Sequence, residues 1–278
     1  MLTSREQYKA ALRPLVGDVA WILLRRARRA VSQRLGHHPV IYSVAPHDLS
    51  RYHDLLDRLL REGRTELLLE HAHLAHQHRA DRVNLVLRHD VDFDPRRLFA
   101  MTELEVRSGV RSTVYVRTDG EAYRVQDFQD PLRELARQGF EIGLHSSAFR
   151  EDSPGWAFLE EVRIFRESLG FAPAVMTTHG FHPFTLKVAV RQERFLRELS
   201  RHRVAGILSN EFPGYGFDLT ITDSNFSPGR IYTYLTEEFP RLPSYPVGRR
   251  VQLLTHPEYW GGAQPDGVAM RTGRREGA

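Results

Sequence analysis

The sequence predicts a parallel α/β fold, a barrel in preference to an open sheet, with six to eight strands over about 180 residues. Three observations predict it. From Arg82 onward, short apolar runs alternate with helical periods, as in a parallel sheet with crossover helices. The side chains able to do chemistry stand just after those runs: Asp90 and Asp92, His145, His179 and His256. In a parallel barrel such positions meet at one mouth. The segment after the first run, Arg88 to Asp94, holds no glycine, which removes the usual reason to choose a dinucleotide-binding fold.

The 278 residues suffice for one large domain or for a domain with an appendage. A hydrophobic content of 41% and a charged content of 27% belong to an ordinary globular protein. The net charge is +4. Its arginines gather at the two ends (Arg25, Arg26, Arg28 and Arg29; Arg271, Arg274 and Arg275) rather than in a stripe, which argues against nucleic acid as partner. With no cysteine, disulfides and thiolate metal sites are excluded, so any metal falls to His, Asp or Glu. No apolar stretch reaches membrane-spanning length. The N-terminus makes a poor signal peptide, and the expected location is cytoplasmic.

Three divisions are expected: a helical extension over residues 1–80, a barrel over 81–262 and a disordered tail over 263–278. In the extension, Leu12, Leu15, Val19, Ile22, Leu23, Ala27, Ala30, Val31 and Leu35 share one broad helical face, with Arg25, Arg26, Arg28 and Arg29 opposite. Two readings of this helix stand: docked on the main domain or a second subunit, or lying on an anionic membrane surface. A second helix carries Tyr52, Leu55, Leu56, Leu59 and Leu60 as its buried stripe and stops at Gly63. A third, from about Glu66 to His78, is read as a solvated helix despite four histidines.

The barrel begins with the strand Val83–Leu87. Helix 96–107 follows and ends at Gly109. Strands are then expected at 112–116, 140–144, 174–177, 204–208, 219–222, 231–235 and 251–255. Helices over 130–138, 156–169 and 195–201 separate the first of them, and Gly139 and Gly170 act as stops. After the first strand come Arg88, His89, Asp90, Asp92 and Asp94. Asp90 and Asp92 share a strand face. Two carboxylates that close repel unless a cation lies between them or one holds a proton. A divalent metal with Asp and His ligands and an open position for water answers this charge problem.

Three segments carry a resemblance. Arg88-His89-Asp90-Val91-Asp92, Gly139-Phe140-Glu141-Ile142-Gly143-Leu144-His145-Ser146 and Leu253-Leu254-Thr255-His256-Pro257-Glu258-Tyr259-Trp260 resemble, in order, the motifs of polysaccharide deacetylases. These are the carbohydrate esterases with a NodB homology domain. The resemblance spans roughly Arg82 to Gly262. It implies an irregular (β/α)7-type barrel and a zinc or cobalt ion. The implied reaction removes an acetyl group from an N-acetylated sugar, a glycan precursor or nucleotide sugar. It also implies that Asp90 is the base, Asp92 and His145 are metal ligands, and His256 assists the leaving group.

Two departures follow. The family's second motif has a further histidine where this chain has Phe149, so the third ligand is assigned to His179, with His182 as second choice. The family's third motif supplies an arginine that holds the base, yet none occurs between Arg166 and Arg191. That role is vacant or passes to Arg88. Arg88, Asp223, Tyr259 and Trp260 are expected to contact substrate, with Asn225 and Arg230 as weaker candidates. The rival class is a non-catalytic glycan-binding or scaffold protein on the same barrel. A third reading is metal-dependent hydrolysis of another bond, such as a phosphoester.

Overall fold

The computed structural model describes residues 49–120, 122–179, 186–202, 206–212, 215–223, 232–233 and 245–260. The basic N-terminal helix, the C-terminal tail, His182, Asn225 and Arg230 lie outside them. Eight parallel strands form one curled half-barrel sheet, with helices between the strands. They are β1 (Thr65–Leu68), β2 (Val83–Val91), β3 (Thr113–Val116), β4 (Glu141–Ser146), β5 (Met176–Thr178), β6 (Leu219–Thr222), β7 (Tyr232–Thr233) and β8 (Arg250–Thr255). Their order is β5-β4-β3-β2-β8-β6-β7. One edge of β2 serves two partners. Val83–Val86 pair with β1, and Arg88–Val91 pair with β3. Val175 also bridges Leu208, the described part of the strand expected at 204–208. Among the described residues, no pairing joins β7 to β5.

The helices are α1 (Leu49–Glu62), α2 (Glu70–Leu74), α3 (Pro95–Arg107), α4 (Gln129–Arg137), α5 (Pro154–Leu169) and α6 (Leu186–His202). Helix α3 starts where the sequence demands: the Asp94 side chain accepts from the Arg96 N–H, and Pro95 occupies the first turn. Helix α5 stops at Gly170, whose φ of 83° is left-handed. Tyr52, Leu55, Leu56 and Leu59 are buried, while Leu60 is exposed.

Three elements differ from expectation, one in length alone, since the helix expected over 195–201 runs from Leu186 to His202. The helix expected from Glu66 to His78 is instead strand β1 followed by a single short helix. Glu and Leu favour helices locally, but pairing with β2 supplies the Thr65–Leu68 backbone with partners along a whole edge, and that outweighs propensity. Strand β2 also continues through its charged residues, and all nine of its positions are buried. Alternation makes this tolerable. His89 turns to one face, where Nε2 meets Glu105 at 3.0 Å and Nδ1 meets Thr255 at 2.6 Å. Glu105 also accepts from Tyr52 and Ser112. This network anchors α1 and α3 to the sheet. Arg88 and Asp90 turn to the other face.

Gly143 in β4 has a steric purpose. A Cβ there would lie 2.5 Å from the Tyr115 ring and 2.9 Å from Val175. The Tyr115 ring in turn lies 4.6 Å beneath the Arg88 guanidinium.

Candidate active site

All strands run parallel, so the residues after β2, β4, β5 and β8 gather at one end of the sheet. Asp92, His145 and His179 meet there, each with one ligand atom within 4.8 Å of the others. His145 Nε2 lies 3.0 Å from Asp92 Oδ1, and His179 Nε2 lies 3.5 Å from the same oxygen. The two imidazoles are edge-to-face, with centroids 5.0 Å apart. Ligands about 2.1 Å from one tetrahedral ion stand about 3.4 Å apart, so these separations suit a shared divalent cation. One carboxylate and two imidazoles without a thiolate is also a suitable donor set.

Electrostatics agree with that geometry. Burial opposes the charge on Asp92, yet His145, His179 and His256 together hold its carboxyl well below the usual range. Burial holds the His179 imidazole below its ordinary value, which keeps it neutral with a lone pair to give. Among the described residues, the buried Nδ1 atoms of His145 and His179 have no hydrogen-bond partner.

Asp90 and His256 flank this triangle. Asp90 Oδ2 is 3.9 Å from His145 Nε2, and His256 Nε2 is 3.9 Å from Asp92 Oδ2. Asp90 is gripped by Arg88 through two bonds, Nε–Oδ1 at 2.6 Å and Nη2–Oδ2 at 2.7 Å. Arg88 Nη2 also donates to Thr177 Oγ1 at 2.6 Å. Burial pushes the Asp90 carboxyl up, but Arg88 and then His145 outweigh it, so it titrates below its ordinary range. His256 is held by Asp223. Oδ1 is 2.6 Å from its Nδ1, and Oδ2 accepts its backbone N–H at 2.8 Å. Burial disfavours the imidazolium, yet Asp223 and then Asp92 raise it to about 10.

Three residues expected at the substrate are engaged by protein partners. Arg88 is buried and committed to Asp90. Asp223 orients His256, because the Asp223 carboxylate is closed off on both oxygens. Trp260 donates Nε1–H to Asp223 at 2.8 Å and packs edge-on against Tyr52 at 5.5 Å, so its indole belongs to the core. The Tyr259 backbone lies in a 3-10 turn, Pro257–Tyr259; its side chain lies outside the described residues. Phe149 is buried among Phe158, Phe195 and their neighbours.

Four further side chains brace the site. Glu258 Oε1 accepts the Phe93 and Asp94 N–H groups at 2.6 and 3.1 Å, just after Asp92. Glu161 on α5 accepts from Ser147 N at 2.9 Å and from Ser146 Oγ, just after His145. Burial pushes both carboxyls up to about 7. Arg117 and Asp119 follow β3. The rule that selects His145, polar residues directly after a buried run, selects them equally.

No family model and no curated protein matches this sequence. Solved structures do. The chain is similar to the catalytic domain of peptidoglycan N-acetylglucosamine deacetylase from Eubacterium rectale: 15% identity, TM-score 0.42, covering 62% of this chain and 76% of that one. It is similar to IcaB from Ammonifex degensii, with 14% identity, TM-score 0.42, and 71% and 88% covered. Peptidoglycan deacetylase PdaC from Bacillus subtilis gives 14% identity, TM-score 0.32, and 62% and 86% covered. The chemistry therefore rests on the side chains of this chain.

Proposed function

We propose that this protein is a metal-dependent hydrolase that removes the acetyl group from an N-acetylated sugar, a glycan precursor or nucleotide sugar. One observation carries the reading. A carboxylate–imidazole triangle of cation-sharing dimensions lies between the Asp90 carboxylate, gripped by Arg88, and the His256 imidazole, backed by Asp223.

Asp92, His145 and His179 would hold the ion, and zinc suits the donor set, with cobalt as the second choice. When bound, such an ion acidifies water and polarises a carbonyl. The chain's own groups perform the proton transfers. Asp90, kept ionised by Arg88, accepts a proton from the attacking water as its oxygen adds to the acetyl carbon. His256, kept protonated by Asp223, gives the Nε2 proton to the amide nitrogen as the C–N bond breaks. Acetate and the free amine leave. Two titratable groups pushed in opposite directions by their surroundings are what paired base and acid catalysis requires. The burial of both Asp90 and His256 keeps bulk water from levelling the difference.

The test is elemental analysis of the purified protein together with acetate release from N-acetylglucosamine oligomers and from a nucleotide N-acetyl sugar. Bound zinc or cobalt and acetate release, both lost in Asp92→Ala, are expected. A metal-free protein that binds the sugar without turnover would replace this reading with a glycan-binding scaffold.

A further inference from the structure

Asp92 and His145 stand on strands that are not neighbours, since β3 lies between β2 and β4. The backbone ladders on the two sides of β3 hold these strands as far as Val91 and Leu144, so the gap between Asp92 and His145 depends also on what crosses the end of β3. What crosses it is a chain of polar side chains. Arg117 is 2% exposed. Its Nη1 donates to the Asp92 backbone carbonyl at 3.2 Å. Its Nε and Nη2 donate to Asp119 Oδ2 at 3.2 and 2.6 Å. The same oxygen accepts from Ser147 Oγ at 2.8 Å. Ser147 N–H is fixed on Glu161, whose carboxylate also takes Ser146 Oγ. One unbroken path thus runs from the backbone of Asp92 to the residues directly after His145.

We propose that Arg117 and Asp119 are positioning residues that set the spacing of the Asp92 and His145 strand ends, and thereby the cation affinity of the site. This rests on reading the triangle as a metal centre. The pair joins a buried guanidinium to a carboxylate partly open to solvent, and burying that guanidinium is a costly way to fill space, since apolar side chains of similar volume do that equally well. Its directional bonds give something apolar packing does not: a fixed separation between two named backbone points. The pair is also neutral as a unit. Asp119 cancels the guanidinium charge that would otherwise oppose a cation beside Asp92. Phe149 gives the site no nitrogen, so a site with few protein donors depends more heavily on the placement of each.

The test is a zinc titration against a competing chelator, with thermal unfolding of the apo-protein measured in parallel. Asp119→Asn keeps an acceptor for Ser147 but removes the charge. Ser147→Ala removes only the link to β4. Each is expected to weaken zinc binding by roughly 10- to 100-fold, the usual effect of losing a residue that orients a ligand. Ser147→Ala should do so with apo-protein unfolding near that of the wild type. The double variant should lose less than the two single losses combined, because both act on one path. If Asp119→Asn does not fold, Ser147→Ala decides. A folded variant that binds zinc as tightly as the wild type overturns the proposal and leaves the metal centre standing. A wild type that binds no zinc overturns both.

Discussion

His179 and His256 both follow strands at the same end of the sheet, both are buried and both face Asp92, yet they are opposite in kind. His179 has Nε2 near Asp92 and, among the described residues, nothing on Nδ1, and burial holds it neutral. His256 has the Asp223 carboxylate on Nδ1 and is held protonated up to about 10. The residue type and the strand end do not decide the role. The second nitrogen does. Without a carboxylate behind it, a buried imidazole offers a lone pair; with one, it offers a proton.

That contrast can be broken from either side. The largest effect is expected from His179→Ala, which removes one of three ligand atoms. Zinc retained after dialysis should fall from stoichiometric to background, as read by elemental analysis, and hydrolysis should fall with it. Unchanged zinc content would show that His179 is no ligand.

Asp223→Asn should convert His256 toward the kind of histidine that His179 is. Turnover is expected to drop by roughly 10²- to 10⁴-fold, the contribution of a positioned acid. The sign of the pH effect follows from the raised value. His256 is charged at neutral pH, and its charge is lost only as pH rises through about 10. Stabilisation from the His256–Asp223 pair is therefore complete below the ordinary imidazole range and disappears as pH climbs to that value. In Asp223→Asn the alkaline fall in rate should move down toward the ordinary range, which a pH–rate profile reads directly. An unmoved alkaline limb would assign it to another group.

Arg88→Met attacks the base rather than the acid. It leaves the Asp90 carboxylate buried without its cation and should cost roughly 3–5 kcal/mol in urea unfolding. A loss under about 1 kcal/mol would mean that Asp90 finds another partner or takes a proton. The smallest effect belongs to Trp260→Phe, which removes the indole N–H on Asp223 together with part of the ring packed against Tyr52. That loss is expected to cost about 1.5–3 kcal/mol and to shift the alkaline limb in the same direction as Asp223→Asn, but by less.

The fold was legible where the chain signals locally. Apolar runs, Asp94-Pro95 and the Gly170 stop placed most strands and helices within a residue or two. Strand β1 was not, because Thr65-Glu66-Leu67-Leu68 carries helical propensity and becomes a strand only through an edge that β2 provides. The strand-end rule brought the ligand and acid–base candidates to one end of the sheet without showing their partners. That Asp223 backs His256, or that Arg88 folds onto Asp90, depends on where side chains turn after residues distant in the chain are brought together. Alternation along β2 predicts which face Arg88 takes; it does not predict that the face is closed. Arg117 and Asp119 were within reach of the same rule, being the polar pair after β3.

The missing side chain of Gly143 is a constraint on inheritance as well as on packing. Even a methyl group there must displace Tyr115, the ring on which the Arg88 guanidinium rests. A Gly143→Ala change would thus reach Asp90 through two intermediaries without touching the site itself. A position that looks like an anonymous glycine in a buried strand is one at which drift would disturb the packing beneath the proposed base.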